Sequence, residues 1–434
     1  MGRDTEDRLD SRADPPLVYA VGIAAGVILQ LIRTRGIPVW DTVWLEDGPV
    51  FVEGANAASG PLSTLLESYQ GYLQLLPRLL AVPTAWLPIE TVPAYLAVAA
   101  CVTGALAGAF LYRHSDGWVA SRPVRLALAA WLVVGPVMAV ENTAVITNTI
   151  WLGYALVPWA LISRVAGRTA TLTRAVVVFL AIASTPIVGF YLPLALVVLW
   201  RRRRFDDLVV TASFLAGLAL QGAVVLTVTS PRTGSASLAS ALERYGLRAI
   251  GSALVGDRPL GSLWIDFGTL APVGLALVAA ALFAFAASGV SPASRRPALL
   301  FLSLSLCAFM LPTLLRGTPA DTYGHGLYSV SLSRFAVAPI IFLVSAFALV
   351  VAPVHDARPP AVAARLSRLM VVQCLAVIVL NLSVHTVRSE GPRWSDEIRA
   401  ARLHCEIEGA SERVRITTTP SNFDVDLDCS RLDP

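Results

Sequence analysis

The 434-residue chain contains no lysine; all 34 positions counted as Lys or Arg are arginine. That excludes chemistry built on a lysine amine, including the lysine of a phosphate-cradling loop and Schiff-base catalysis. Charge of either sign is scarce, at 15% of residues against roughly 25% in ordinary soluble proteins. With 55% hydrophobic residues and a mean hydropathy of +0.65, an ordinary cytosolic enzyme is excluded. The net charge of +4 is too small and too scattered to suggest a nucleic-acid partner. The five histidines (His114, His325, His355, His385 and His404) lack metal-ligand spacing, and GxSxG, CxxC, HExxH and a nucleotide-binding glycine loop are missing. No strong internal repeat of the kind frequent in alternating-access transporters stands out.

What is present is a series of apolar runs of roughly 17–25 residues, long enough to cross a bilayer. Basic clusters at Arg113/Arg122/Arg125, Arg164/Arg168/Arg174, Arg201–Arg204, Arg295/Arg296 and Arg358/Arg365/Arg368 orient them with the N-terminus cytoplasmic. The first 16 residues mix arginines with acids, and no small-residue cleavage site follows, so the first run predicts a retained helix rather than a signal peptide. Simple spans are expected near 17–35, 91–112, 125–140, 147–163, 207–229, 269–289, 297–313, 334–352 and 367–385. Residues 175–200 carry arginines at both ends and Ser184-Thr185-Pro186 near the middle. They predict two half-inserted helices meeting at the proline, a break tolerated only inside protein or along a cavity. Residues 72–89, interrupted by Pro77, Pro83 and Pro88, predict an interfacial helix.

The expected fold is therefore all-α and polytopic, with about 11 membrane helices, in the plasma membrane. Residues 1–385 form the transmembrane domain with a first outer loop at 36–90, and 386–434 form a small extracytoplasmic tail. Cys101, Cys307 and Cys374 lie in apolar runs and read as small buried hydrophobes. Cys405 and Cys429 lie in the polar tail, flanking alternating stretches at 413–417 and 424–427 that suit a β-hairpin. Two cysteines in so small a polar module predict a disulfide and an oxidising compartment, in agreement with an outside C-terminus.

The densest chemistry follows the first helix, in Trp40-Asp41-Thr42-Val43-Trp44-Leu45-Glu46-Asp47-Gly48. Carboxylates close to hydrocarbon are costly, and desolvation makes them stronger bases; a solvated loop with aromatic anchors is the structural alternative. Pro49–Ser59 has the pattern of a short amphipathic helix on the bilayer. Tyr69-Gln70-Gly71-Tyr72-Leu73-Gln74-Leu75-Leu76-Pro77-Arg78 then places Arg78 in apolar surroundings, where it needs a carboxylate or phosphate partner or must snorkel to headgroups. Glu141, at the outer end of a helix, is either a structural partner or a site residue. The loop 230–268 holds an amphipathic helix at Leu238–Leu254 with Arg244, and the loop 314–333 brings His325 ahead of Arg334-Phe335. Arginine beside Tyr and His suits an anionic lipid headgroup.

This order of acidic pair, amphipathic first-loop helices, proline-broken segment ahead of an arginine run, and Arg334-Phe335 opening a late helix resembles the GT-C superfamily of membrane glycosyltransferases. The Trp-Leu-Glu-Asp-Gly and Gly-Tyr-Leu-Gln-Leu-Leu-Pro-Arg stretches, and the Trp394, Cys405 and Cys429 tail, look like uncharacterised actinobacterial members. The resemblance implies transfer of a sugar from a polyprenyl-phosphate donor to an envelope glycan, lipid or protein outside the membrane, with inversion. It implies a first-loop carboxylate as general base and matches Arg334 to the family's late-helix arginine; beside it, Arg78, Tyr72, Glu141, His325 and Arg244 are the candidates for the donor phosphate and substrate. In the family pattern the first acid is the base and often Asp; here Glu46 stands there and Asp47 follows. The choice between them stays open, with Asp41 third. A second loop acid has Glu67 as its candidate, and Phe335 replaces the commoner Tyr. No cofactor is implied beyond a divalent cation, which the pattern leaves open. The alternatives are a transporter or flippase of a lipid-linked substrate and a non-catalytic scaffold of the same architecture. Neutral Gln30 and Gln221 in mid-membrane, with acids gathered at the outer face, count against transport.

Overall fold

Wherever the apolar runs were read, backbone groups with no water to bond have closed into helices. The structure, a computed structural model, describes residues 14–57, 59–139, 141–228, 236–316, 333–354, 360–383, 385–408 and 413–432. Its main helices in chain order are α1 (Pro16–Ile32), α2 (Leu75–Ala81), α3 (Val92–His114), α4 (Arg122–Val134), α5 (Thr149–Ile162), α6 (Arg168–Ser184) and α7 (Leu192–Arg202). They continue as α8 (Phe205–Val225), α9 (Leu238–Tyr245), α10 (Asp257–Phe267), α11 (Leu270–Ser288), α12 (Pro292–Arg316), α13 (Val337–Val351), α14 (Pro360–Leu380) and α15 (Trp394–Glu408). Two short antiparallel hairpins complete it: β1 (Ser68–Tyr69) with β2 (Tyr72–Leu73), and β3 (Arg413–Ile416) with β4 (Val425–Asp428).

Among the described residues, six helices are long and apolar enough to cross a membrane. They are the segments Ile89–His114, Phe205–Val225, Leu270–Ser288, Pro292–Leu315, Arg334–Val351 and Ala361–Leu380. Several turn apolar side chains outward, as α14 does with Leu369, Val372, Leu375 and Val379, which suits lipid rather than water. The chain is thus an all-α membrane-embedded protein. Cys101 and Cys374 are buried as expected, whereas Cys307 is exposed, because the face of α12 that carries it points outward.

The central helices are shorter than their apolar runs suggested. The α4 helix has 13 residues and stops where Gly135-Pro136 breaks it; α5 has 14, nearly all buried. At 1.5 Å per residue each is about 20 Å long, against about 34 Å for the 23-residue α3. Their far ends meet the ends of α1 and α3. Tyr112 and Arg122 both reach Asp14, Arg125 pairs with Asp116 at 2.5 Å, and His114 bonds Ser163 at 2.8 Å. The buried loop joining α4 to α5, described at 135–139 and 141–148 and called the floor loop below, therefore ends short of the neighbouring helix ends. Glu141, expected to end a helix, lies in this loop instead.

The break between α6 and α7 falls at Thr185-Pro186, as the sequence predicts, and other backbone fills it. Ser184 Oγ accepts the Leu76 N–H at 2.9 Å, and Gln221 of α8 bonds both backbone groups of Leu73. Residues 72–89 are accordingly docked into the bundle through α2. The stretch after the acidic motif also differs from a surface helix: Phe51, Val52 and Ala55 are buried, because the tail covers them.

The tail shares one core with the first loop, in which Phe51, Val52 and Val92 pack with Trp394, Ile416 and Val425. Arg388, 4% exposed, ties the two together. Its guanidinium donates to Thr42 Oγ1 at 2.8 Å, to the carbonyls of Val39 and Thr42 at 3.0 and 3.2 Å, and to those of Thr143 and Ala144 at 3.0 and 3.2 Å. Cys405 and Cys429 are joined in a disulfide between α15 and the end of the hairpin. Gly36, at φ +89°, lets the Ser389 carbonyl approach where a Cβ would lie 2.6 Å away. Arg388→Met leaves these acceptors without their donor and should lower stability by about 3 kcal/mol or more. Arg399→Met, at an exposed pair with Asp396, should change the thermal midpoint little. Thermal unfolding of both variants in one detergent checks the contrast.

Candidate functional site

Of the acids in the first loop, nearly all are committed to structure. Asp41 accepts from the Ser395 N–H at 3.0 Å and from its hydroxyl at 3.1 Å at the start of α15, and lies 3.6 Å from Arg393. Glu53 accepts the Asp426 N–H at 2.6 Å, and Glu90 pairs with Arg402. Glu67 lies 3.5 Å from Arg78. Asp47 is held on both oxygens: Oδ2 by the Ile146 N–H at 3.0 Å, Oδ1 by the Thr147 N–H at 2.9 Å and by its hydroxyl at 2.5 Å. Burial pushes its carboxyl up to about 6, against these three donors and the charge of Arg388, which pull it down. Burial in turn lowers the Arg388 guanidinium to about 10.

Glu46 is different. It is 7% exposed, its Oε1 lies 3.5 Å from Arg334 Nη1, and its Oε2 has no hydrogen-bond partner among the described residues. Of the three acids that the sequence left open, Asp41 and Asp47 have their oxygens occupied, and Glu46 keeps one for something else. A buried acceptor left unbonded costs about 1–3 kcal/mol, so its persistence needs a reason.

Arg334 sits in the turn Ser333–Ala336 before α13, and its own N–H donates to Glu141 Oε2 at 3.3 Å. Tyr69 and Tyr72 lie within electrostatic reach of it and stand opposite one another in the β1–β2 hairpin. Burial raises the Tyr69 phenol above its usual range, and the nearby Glu46 charge adds to this. The hairpin turn has positive φ at both Gln70 and Gly71, the two-residue turn whose twist matches that of the strands. Gln74 of the same segment donates to the Tyr72 hydroxyl at 3.1 Å.

In the floor loop, Asn148 Nδ2 donates to the Glu141 carbonyl at 2.6 Å, and its Oδ1 has no partner among the described residues. Trp151 packs edge-on against Phe335 at 4.9 Å, and its indole N–H is likewise unpaired among the described residues. Both side chains are more than nine-tenths buried. Four described non-glycine residues have positive φ, and three flank this cluster: Leu45 beside Glu46, Gln70 between the tyrosines, and Ala144 in the floor loop. Such conformations persist only where the surroundings over-determine them, and they gather at functional sites.

The structure thus brings Glu46, Arg334, Glu141, Tyr69 and Tyr72 together. Arg78 lies on α2, just beyond the hairpin; at 4% exposure it does not snorkel, because Phe51 at 5.8 Å and Glu67 cover it. Among the described residues its Nε and Nη1 have no hydrogen-bond partner. Arg244 is half-buried on α9, which packs with α11 and α12. His325 lies outside the described residues. The sequence reading missed Asn148 and Trp151 as site residues, Gln221 as the anchor of the hairpin, and Arg388. A glutamine alone in an apolar run was the available signal for Gln221; nothing local marked Arg388. Among the described residues, no group of three or more His, Cys, Asp or Glu could hold a metal ion. No protein-family model matches the chain, and no curated protein matches it.

Because the Asp47 carboxyl is raised in the folded state, its protonated form is favoured there. Its stability contribution is complete below about pH 4 and is lost as pH rises to about 6, a change of about 3 kcal/mol. Asp47→Asn should flatten the thermal midpoint over this window. At pH 7 it should also lose about 1–3 kcal/mol, since an amide nitrogen must face an N–H. Glu46→Gln should leave stability within about 1 kcal/mol of wild type, because its Oε2 bonds nothing among the described residues. Melting curves from pH 4 to 7 measure all three.

Proposed function

We propose that the protein is a membrane glycosyltransferase that moves a sugar from a polyprenyl-phosphate donor to an acceptor hydroxyl, with Glu46 as general base. The observation that carries this reading is a buried first-loop carboxylate, Glu46, with one oxygen unbonded among the described residues, standing beside the partly buried Arg334. Glu46 Oε2 takes the acceptor's hydroxyl proton as that oxygen bonds to the anomeric carbon. The bond from this carbon to the phosphate oxygen breaks, and polyprenyl phosphate leaves with the electron pair, so the anomeric centre inverts. Arg334 holds the departing phosphate, and poor hydration around the buried Glu46 strengthens that charge interaction. Arg78, which is buried, is a second cation for the same anion.

A sugar suits the remaining groups. Asn148 Oδ1 accepts, the Trp151 indole N–H donates, and Tyr69, Tyr72 and Trp151 offer aromatic surface. A hydroxylated ring both gives and receives hydrogen bonds and carries apolar C–H faces. The floor between the short α4 and α5 suits a donor whose lipid chain stays in the bilayer. The acceptor is an envelope glycan, lipid or protein on the outer side, where the N-terminus is cytoplasmic and the disulfide-bonded tail extracytoplasmic.

The test is transfer by purified protein in nanodiscs from a panel of radiolabelled polyprenyl-phosphate sugars. Glu46→Gln should lower turnover about 10²–10⁴-fold while donor binding persists. Arg334→Ala should weaken donor binding. Absence of binding for every donor would end this reading, and directional movement of a lipid-linked sugar without transfer would favour a flippase.

A further inference from the structure

We infer that the C-terminal tail is a positioning element of the site: the carbonyl of Thr419 and the Cys405–Cys429 bond fix the backbone that aims Glu46. The reaction in which Glu46 acts rests on the function proposed above; the mechanical link does not.

Glu46 has an anchor on each side. After it, Asp47 is bound to Ile146 and Thr147 of the floor loop. Before it, the Leu45 N–H donates to the Thr419 carbonyl at 3.2 Å, and Trp44 forms a parallel bridge with Thr419. Leu45 has a φ of +52°. A leucine does not rest there unaided, since its Cβ crowds the backbone in that region. Relaxation of Leu45 to a negative φ would swing the next side chain away from Arg334.

The loop carrying Thr419, between β3 and β4, is braced by its own hydrogen bonds. Asp424 Oδ1 accepts the Thr418 N–H at 3.1 Å, and the Thr418 hydroxyl donates to the Phe423 carbonyl at 2.7 Å. It fits against two glycines. A Cβ at Gly391 would overlap the Thr419 hydroxyl, and one at Gly48 would overlap Val425. The hairpin is fastened at its far end by Cys429, bonded to Cys405 of α15, while Asp41 caps the start of that helix. A path of direct contacts thus runs from the disulfide through the hairpin to the residue before the base. A tail that only shielded the outer core would not need to seat a carbonyl on the one strained residue beside Glu46.

Two full-length variants test this: Cys405→Ser with Cys429→Ser, which frees the end of the hairpin, and Gly391→Val, which displaces Thr419 without touching the first loop. The readouts are amide hydrogen exchange across 42–48, the thermal midpoint, and the kcat and donor KM of transfer. At least one variant should expose the Leu45 amide, speeding its exchange tenfold or more, while α5 and α13 stay protected. That variant should lose tenfold or more in kcat with donor KM unchanged. If the Leu45 amide stays protected in both, the tail does not fix this backbone and the inference fails. It fails equally if the amide is exposed and kcat is kept. Should the wild type transfer no sugar, the proposed reaction falls, and the exchange measurement alone then decides whether the tail holds residues 44–47.

Discussion

The desolvated carboxylate of Asp47, bound by three donors from residues 146 and 147, is the constraint from which the outer region follows. It joins the first loop to the floor loop between α4 and α5, and the buried Arg388, within electrostatic reach of it, bonds the same two loops from the tail. A buried polar group stripped of its partners costs about 1–3 kcal/mol, more when charged, so the two loops and the tail are held in one arrangement. Because Asp47 is spent in this way, the adjacent Glu46 is left with its side chain pointed at Arg334 and one oxygen unbonded among the described residues. Two neighbouring acids thereby acquire opposite roles through their partners.

Depth is the second condition. A site at a membrane surface is flooded with water, and charges there interact weakly. Here α4 and α5 are too short to reach the level of α3, so the floor loop lies lower than the helix ends around it. The hairpin with Tyr69 and Tyr72, locked by Gln221 and by the break after Ser184, leans over the same place. The proline break is therefore more than a tolerated defect: it makes room for the backbone that carries Tyr72 toward Arg334.

Much of this was legible in the sequence. Apolar runs gave the helices, the tail cysteines gave the disulfide, alternation gave β3 and β4, and the Trp-rich acidic motif marked the loop that carries Glu46 and Asp47. Periodicity could not give helix ends: α4 and α5 read as full spans because the buried floor loop, with Met138, Ala144 and Ile146, is nearly as apolar as the helices. Nor could sequence separate Glu46 from Asp47, since their difference is made by Ile146 and Thr147, about a hundred residues away. Arg388 was illegible for the same reason. All its acceptors but one are backbone carbonyls of distant segments, and carbonyls have no sequence signature.

The account stands on the claim that Glu46, and not Asp47, faces the reacting groups. The most direct measurement is a structure in nanodiscs with a polyprenyl-phosphate sugar and an acceptor analogue bound. The prediction is an acceptor oxygen within hydrogen-bond distance of Glu46 Oε2, phosphate against Arg334, and Asp47 still held by Ile146 and Thr147. A substrate bound to a released Asp47, or one seated away from Glu46 altogether, would contradict it.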